Sequence, residues 1–151
     1  MFDKAASNAF AGICAYINTS AANLSTEIGA LICVPAFQRT GVTSAAVALL
    51  MQYALRLPSE GGLGLRRVQW QAHESNERSI GLARKHEFQL EGIIRWQRVL
   101  PGHKPGVKQR EGDSSPGTMG RHTALLSVCW DDWEQGVKEK ICRPGQVMYA
   151  A

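Results

Sequence analysis

The segment from Glu27 to Leu55, EIGALICVPAFQRTGVTSAAVALLMQYAL, decides the fold of this chain. Residues 27–34 form a short apolar run typical of a buried strand, and Pro35 ends that strand because proline cannot donate to a ladder. After the turn QRTGVT, the apolar residues follow the period of an amphipathic helix that ends before Pro58. The apolar positions of this helix are Val47, Leu50, Met51, Ala54 and Leu55. The segment therefore predicts a strand, a short turn and a long helix.

The turn at residues 38–43 is a candidate anion site. The first turn of a helix leaves its backbone N–H groups unpaired and carries a partial positive charge. Gly41 allows the backbone to approach a phosphate closely, and Arg39 adds a full positive charge beside it. Many α/β proteins have the same turn without a ligand, so these features alone leave phosphate binding as one of two interpretations.

Further strand and helix patterns lie on both sides of this segment. The polar stretch NTSAANLST separates an earlier apolar run from Glu27, which predicts an antiparallel hairpin. The predicted strands cover residues 9–17, 27–34, 67–72, 88–100 and 123–130, and the predicted helices cover residues 43–57 and about 76–86, with a further helix start at 131–134. This order predicts a mixed α/β (α+β) fold with one central sheet.

Composition limits the class of protein. With 151 residues, of which 44% are hydrophobic and 20% charged, the chain predicts one domain with its own core. Disorder over most of the chain is excluded, and no apolar run is long enough to span a bilayer. The N-terminus lacks the order of a secretory signal, so a cytoplasmic protein is expected. The four cysteines form no close pair, which favours structural thiols over a zinc site; they are Cys14, Cys33, Cys129 and Cys142.

The basic charge of the chain has several explanations. A net charge of +4 suits a polyanionic partner, which leaves nucleic acid, a membrane surface and a phosphorylated cofactor open. Residues 101–122 hold three Pro and five Gly without an apolar period, and predict a long basic loop between two strands. The aromatic residues do not alternate with the basic ones as stacking platforms for bases would, which argues against nucleic acid.

Two motifs in the correct order resemble the GNAT superfamily of acetyl-CoA-dependent N-acetyltransferases. The pyrophosphate-binding motif of that family, Gln/Arg-x-x-Gly-x-Gly/Ala, matches Gln38 and Gly41 and departs at Thr43, where a small residue is usual. The second motif begins with a strand and an Asn-x-x-Ser helix start, and Asn76 and Ser79 fall at the matching positions.

The end of the second motif extends the resemblance. Phe88 matches its Gly-Phe strand entry, with Glu87 in place of the usual glycine. The spacing and the closing segment RHTALLSVCWDDWE look like the ribosomal-protein N-terminal acetyltransferase branch. The match covers about residues 9–134, which implies a partial GNAT domain at 1–136 and a C-terminal tail at 137–151. The family's first strand and helices, which form one wall of its acceptor groove, have no counterpart here.

The resemblance implies a role for each matching position. Backbone groups of the strand end would pair with the pantetheine arm of acetyl-CoA, amides of the turn would hold its pyrophosphate, and Asn76 would bind the pantetheine or a water near the thioester. The implied cofactor-binding residues are Leu31, Ile32, Cys33, Val34, Gln38, Arg39, Thr40, Gly41, Val42, Thr43, Ser44 and Asn76. Acetyl transfer needs a base for the amine and an acid for the thiolate. Glu27 is the implied base, and Ser79 or a water is the implied acid because the usual tyrosine is missing.

Each of these residues also has a purely structural interpretation. Glu27 can be a solvated charge at a strand end, and Asn76 and Ser79 can be a helix cap and its neighbour. His73 and His86 are expected at the surface. The four tryptophans are expected in or beside the core; they are Trp70, Trp96, Trp130 and Trp133.

The function that the resemblance implies is transfer of an acetyl group from acetyl-CoA to a primary amine, without a metal. The acceptor is a small molecule or a protein N-terminus, and a homodimer is compatible with this interpretation. Two alternatives stay open: a non-catalytic CoA-binding or interaction protein, and a small nucleic-acid-binding module.

Overall fold

The computed structural model of the chain describes residues 1–142. Its strands are β1 (Phe2–Asp3), β2 (Ala9–Phe10), β3 (Gly12–Ser20), β4 (Ser25–Cys33), β5 (Arg67–His73), β6 (Gln89–Pro101), β7 (Val107–Lys108) and β8 (Thr118–Cys129). Its α-helices are α1 (Val42–Leu55), α2 (Glu77–Lys85), α3 (Trp130–Asp132) and α4 (Lys138–Ile141), with a π-helical turn at Trp133–Val137. No helix in this range is both long and apolar enough to cross a membrane.

A six-stranded mixed sheet forms the centre of the fold. Its strand order is β3-β4-β5-β8-β6, with β7 paired to β8, and β1 and β2 form a separate two-stranded sheet. All pairs are antiparallel except β4 with β5. The predicted mixed fold and the antiparallel β3–β4 hairpin are therefore confirmed.

The helices pack on one face of this sheet. Buried and half-buried residues alternate along β5, and Val68, Trp70 and Ala72 are the buried ones on the helix side. The same core cluster takes Met51 from α1, Ala83 from α2 and Trp133 from the C-terminal helical turns. We call the opposite side of the sheet the polar face. It carries Glu27, Gln69, Gln71, Arg121, Thr123 and Ser127.

The C-terminal segment differs from the sequence prediction of a tail from residue 137. Val137 and Ile141 are buried in the core cluster, and Lys138–Ile141 is helical. Two apolar residues four positions apart cover the end of α1 and the sheet, which a short window without a repeating pattern does not reveal. The remaining part of the predicted tail, 143–151, lies outside the described residues.

The predicted loop at 101–122 is shorter in the structure. Strand β6 continues to Pro101 and β8 begins at Thr118, so the connection is 102–117, interrupted by β7. Likewise, β3 and β4 extend into the predicted polar stretch and leave a turn at residues 21–24, with the hydroxyl groups of Thr19 and Thr26 2.7 Å apart across the strands. Backbone pairing needs no apolar side chains, so the hydrophobic pattern underestimates these strand ends.

Two of the four tryptophans are where the sequence places them. Trp70 and Trp133 are buried, whereas the prediction for Trp96 and Trp130 is wrong, because both are more than half exposed. All four cysteines are free and half-buried, and burial raises the pKa of the Cys14 thiol to about 11, as expected for a structural thiol.

Glu87 adopts a backbone conformation that favours glycine. Its φ of +65° is left-handed, which costs an L-residue about 1–2 kcal/mol. Its carboxylate accepts from Lys140 Nζ at 2.7 Å, a largely exposed ion pair worth about 0–1 kcal/mol. Glu87→Gly is therefore expected to raise the free energy of unfolding by about 0.5–1 kcal/mol, measured by urea denaturation. Glu87→Gln removes the ion pair but keeps the strain, so it should bring no gain. Equal stability of the two variants would contradict strain at this position.

Glu91 on β6 is held by a bidentate ion pair. Both terminal nitrogens of Arg67 donate to its carboxylate at 2.6 Å, and Ser127 Oγ donates at 2.7 Å. The hydrogen bonds from Arg67 lower the pKa of Glu91 from 4.5 to about 2, with burial opposing and Ser127 assisting.

This lowered pKa makes stability depend on pH. The contribution of Glu91 is complete above the unfolded-state pKa of about 4.5 and is lost as the pH falls towards 2. Between about pH 5 and 3, the wild-type chain should therefore lose more stability in urea denaturation than Glu91→Gln does. The control Glu111→Gln, at an exposed loop residue, should follow the wild-type pH profile. Parallel profiles of the wild type and Glu91→Gln would show that the ion pair contributes nothing.

Candidate active site

The candidate active site begins where β4 and β5 part. The two strands pair only over Ser25–Glu27 and Arg67–Gln69, although β4 continues to Cys33 and β5 to His73. Within β4, the register with β3 shifts around Ala30, which has a φ of +49°. A β-bulge at this position bends the strand, and bulges commonly lie beside active sites. The result is an opening in the sheet with unpaired backbone on both sides.

The backbone groups that face this opening are those of alternate residues of β4. The carbonyl oxygen of Ile32 points at β3, where it would meet a Cβ at Gly12. Because backbone groups alternate in direction along a strand, those of Leu31 and Cys33 point towards the opening. Val34 donates its N–H to the carbonyl of Ala11 at 2.9 Å and accepts from Phe37, so its backbone groups are already paired.

The opening leads to the turn before α1. Arg39 and Gly41 have φ of +66° and +92°, and all residues from 38 to 41 are exposed. The first helical hydrogen bond runs from Ala45 N–H to the Gly41 carbonyl at 2.9 Å, so the N–H groups of residues 42–44 precede the helical ladder. Left-handed residues in such a turn gather N–H groups into an anion-binding concavity. A Cβ at Gly41 would meet no atom within 4 Å, so the space in front of the turn is open.

Glu27 lies at the last paired position of β4, beside the opening. Its side chain is only 3% exposed, and its Oε2 accepts a hydrogen bond from Asn18 Nδ2 at 2.8 Å. The interpretation of Glu27 as a solvated strand-end charge is therefore wrong. A buried carboxylate that is oriented by a neighbour and lies at a gap in the sheet has the placement of a general base.

A family model described as an acetyltransferase (GNAT) domain matches residues 1–89 of the chain. This range holds the opening, the turn and Glu27. The chain belongs to the GNAT acetyltransferase family.

Solved structures agree with this assignment. A GCN5-related N-acetyltransferase from Brucella melitensis is 28% identical with a TM-score of 0.69, and the match covers 93% of this chain and 55% of that one. A probable GNAT-family acetyltransferase from Chromobacterium violaceum is 30% identical with a TM-score of 0.60, covering 80% and 50%. A mutant spermidine N-acetyltransferase from Vibrio cholerae, at 16% identity and a TM-score of 0.60 over 85% and 63%, shares the fold.

The match covers only part of the length of these solved structures. This GNAT chain spans about half of the length of the first two structures. No curated protein matches the chain at a significant level.

Asn76 and Ser79 of the second GNAT motif have structural roles at the start of α2. Asn76 is the N-cap of α2, and its Oδ1 accepts from Ser79 N–H at 3.1 Å. Ser79 Oγ accepts from the indole N–H of Trp70 at 2.9 Å, which leaves the Ser79 hydroxyl proton free to be donated. The cap and a role towards a ligand are therefore compatible in the same two residues.

His86 was expected at the surface, and this prediction is wrong. It is 3% exposed, with Nδ1 2.9 Å from the carbonyl oxygen of Leu82. Its Nε2 lies 3.0 Å from the carbonyl oxygen and 3.1 Å from Oγ of Ser44, in the first turn of α1. His86 thus fastens the end of α2 to the candidate phosphate-binding turn. The local sequence pattern gives no signal for the burial of His86, because its partner Ser44 is 42 positions away in the chain.

Proposed function

We propose that this GNAT domain binds acetyl-CoA and transfers its acetyl group to a primary amine by direct attack. The observation that carries this proposal is the opening between β4 and β5, together with the exposed turn that connects β4 to the N–H groups preceding the ladder of α1. An extended pantetheine arm can add to the free edge of β4 through the backbone groups of Leu31 and Cys33. A pyrophosphate fits the turn at 38–44, where N–H groups, the helix dipole and Arg39 all favour negative charge.

Two residues at the opening, Glu27 and Ser79, each serve one of the two proton transfers of the reaction. Acetyl-CoA supplies an activated thioester, and the attacking amine must lose a proton while the thiolate gains one. Glu27 accepts the amine proton, directly or through a water, and Asn18 holds its carboxylate in place. Ser79 has a hydroxyl proton that is not used by Trp70, and it donates this proton, or orients a water that does.

The branch of the family to which this chain belongs, and with it the acceptor, is also a proposal. The closing segment of the sequence favours the ribosomal-protein N-terminal acetyltransferase branch, whose acceptor is a protein N-terminus. A small amine is the alternative acceptor.

Titration calorimetry with acetyl-CoA tests the cofactor half of this proposal. The chain is expected to bind acetyl-CoA with one-to-one stoichiometry and to gain thermal stability with it. No binding at millimolar acetyl-CoA would contradict the proposal.

A further inference from the structure

A group of buried polar atoms without partners lies on the polar face. Among residues 1–142, five buried side-chain nitrogen or oxygen atoms have no hydrogen bond, and four of them belong to His73, Gln97, Arg121 and Thr123. The fifth belongs to Trp133, in the core on the helix side. An unpaired buried polar atom is destabilising because it has lost its hydrogen bonds to water, so four in one region call for a ligand or ordered water.

Register brings these four residues together. His73 of β5 lies opposite Thr123 of β8, and Arg121 follows two positions along on the same face. Strand β6 has extra residues between Ile94 and Arg98, and this bulge turns Gln97 so that its Nε2 donates to Gln71 Oε1 at 2.9 Å.

The bulge also places two arginines side by side. Arg98 of β6 is the direct cross-strand partner of Arg121 of β8. Like charges at such a pair are destabilising. Neither guanidinium has an ion-pair partner within residues 1–142. Nε of Arg121 is one of the buried atoms without a partner.

Electrostatics connect this pair to the candidate base. Burial lowers the pKa of Arg121, the charge of Arg98 lowers it further, and Glu27 raises it. The charges of both Arg98 and Glu27 therefore act on the guanidinium of Arg121. The contrast with Arg67 is informative, because that arginine on the same face has its own carboxylate in Glu91 at 2.6 Å.

We propose that Arg98 and Arg121 bind an anionic group of the acceptor, so that the acceptor is an amine carrying a carboxylate or a phosphate rather than a polyamine. The buried Nε–H of Arg121 and the hydroxyl of Thr123 are donors that such a group would satisfy, and the guanidinium planes match its paired oxygens. The amine of the same molecule then extends along the polar face towards Glu27. This inference rests on the proposed acetyl transfer for its role, but the anion site can be tested without it.

The first test measures binding alone. Phosphoethanolamine and β-alanine should bind the wild-type chain in calorimetry, and Arg98→Gln and Arg121→Gln should each weaken the tighter-binding anion at least about tenfold, the loss of about 1.4 kcal/mol. The control Arg84→Gln removes one positive charge from α2, on the other side of the sheet, and should leave binding unchanged. If neither anion binds the wild type, or if all three variants behave alike, the anion site is refuted.

The second test compares matched acceptors in acetyl transfer. The kcat/KM for phosphoethanolamine should be at least about tenfold higher than that for ethanolamine, or the kcat/KM for β-alanine at least about tenfold higher than that for its amide. Arg121→Gln should abolish that preference. A preference for spermidine or for the neutral members would overturn the assignment. Anion binding without any binding of acetyl-CoA would refute the proposed function but leave the anion site intact. Binding of acetyl-CoA without any anion binding would refute the anion site but leave the proposed function intact.

Discussion

Gly41→Asp is expected to weaken acetyl-CoA binding at least about 100-fold, because a carboxylate would then face the pyrophosphate in the turn before α1. The space in front of Gly41 is open, so the new side chain would lie where the phosphate oxygens are expected. Titration calorimetry with acetyl-CoA measures the loss, and the thermal shift that acetyl-CoA produces should disappear.

Gly41→Asn is the matched control for this variant. Asparagine and aspartate have nearly the same shape, and both tolerate the positive φ of this position, +92°. The two variants should therefore unfold at similar temperatures, while only the aspartate loses the cofactor. Equal acetyl-CoA affinities in the two variants would remove the turn from the site.

Glu27→Gln is expected to lower kcat by about 10²–10⁴-fold while the dissociation constant for acetyl-CoA stays unchanged. Glutamine can still accept the hydrogen bond from Asn18, so the fold is retained and only the base is lost. Initial rates with saturating acetyl-CoA, at several pH values, measure the effect.

Glu74→Gln is the control for Glu27→Gln. Glu74 is an exposed carboxylate just after β5, and its loss changes the net charge by the same amount. It should leave kcat unchanged. If Glu27→Gln also retains full turnover, Glu27 is no base, and the proton must leave through another group.

The sequence predicted the strand, turn and helix around the candidate site because its signals are local. The change of period at residues 27–55 and the glycine of the turn depend only on neighbours a few positions away, and the structure has the strand, turn and helix that they predict. Asn76 could be assigned to a helix start for the same reason. Burial was predicted less well. Glu27 and His86 are polar residues in mixed stretches, and neighbours from distant elements decide that both are buried.

The sequence did not predict the residues on the acceptor side of the site, for a related reason. Asn18 belongs to a stretch that the sequence assigns to a polar turn, yet strand pairing brings its amide to Glu27. Arg98 and Arg121 are 23 positions apart and carry no motif. Only the bulge in β6 sets them opposite each other, and a shift of register by one residue would send one side chain to the other face.

By itself, the sequence determined the order of the main strands and helices, the mixed fold and the turn before α1. These features follow from periodicity and from backbone preferences, which act between residues close in the chain. The tertiary structure alone decided where β4 leaves β5, which backbone groups of 31–34 stay free, and which charges meet on the polar face. Those features depend on the pairing register and bulges of strands that are far apart in sequence, and such long-range pairings leave no local pattern.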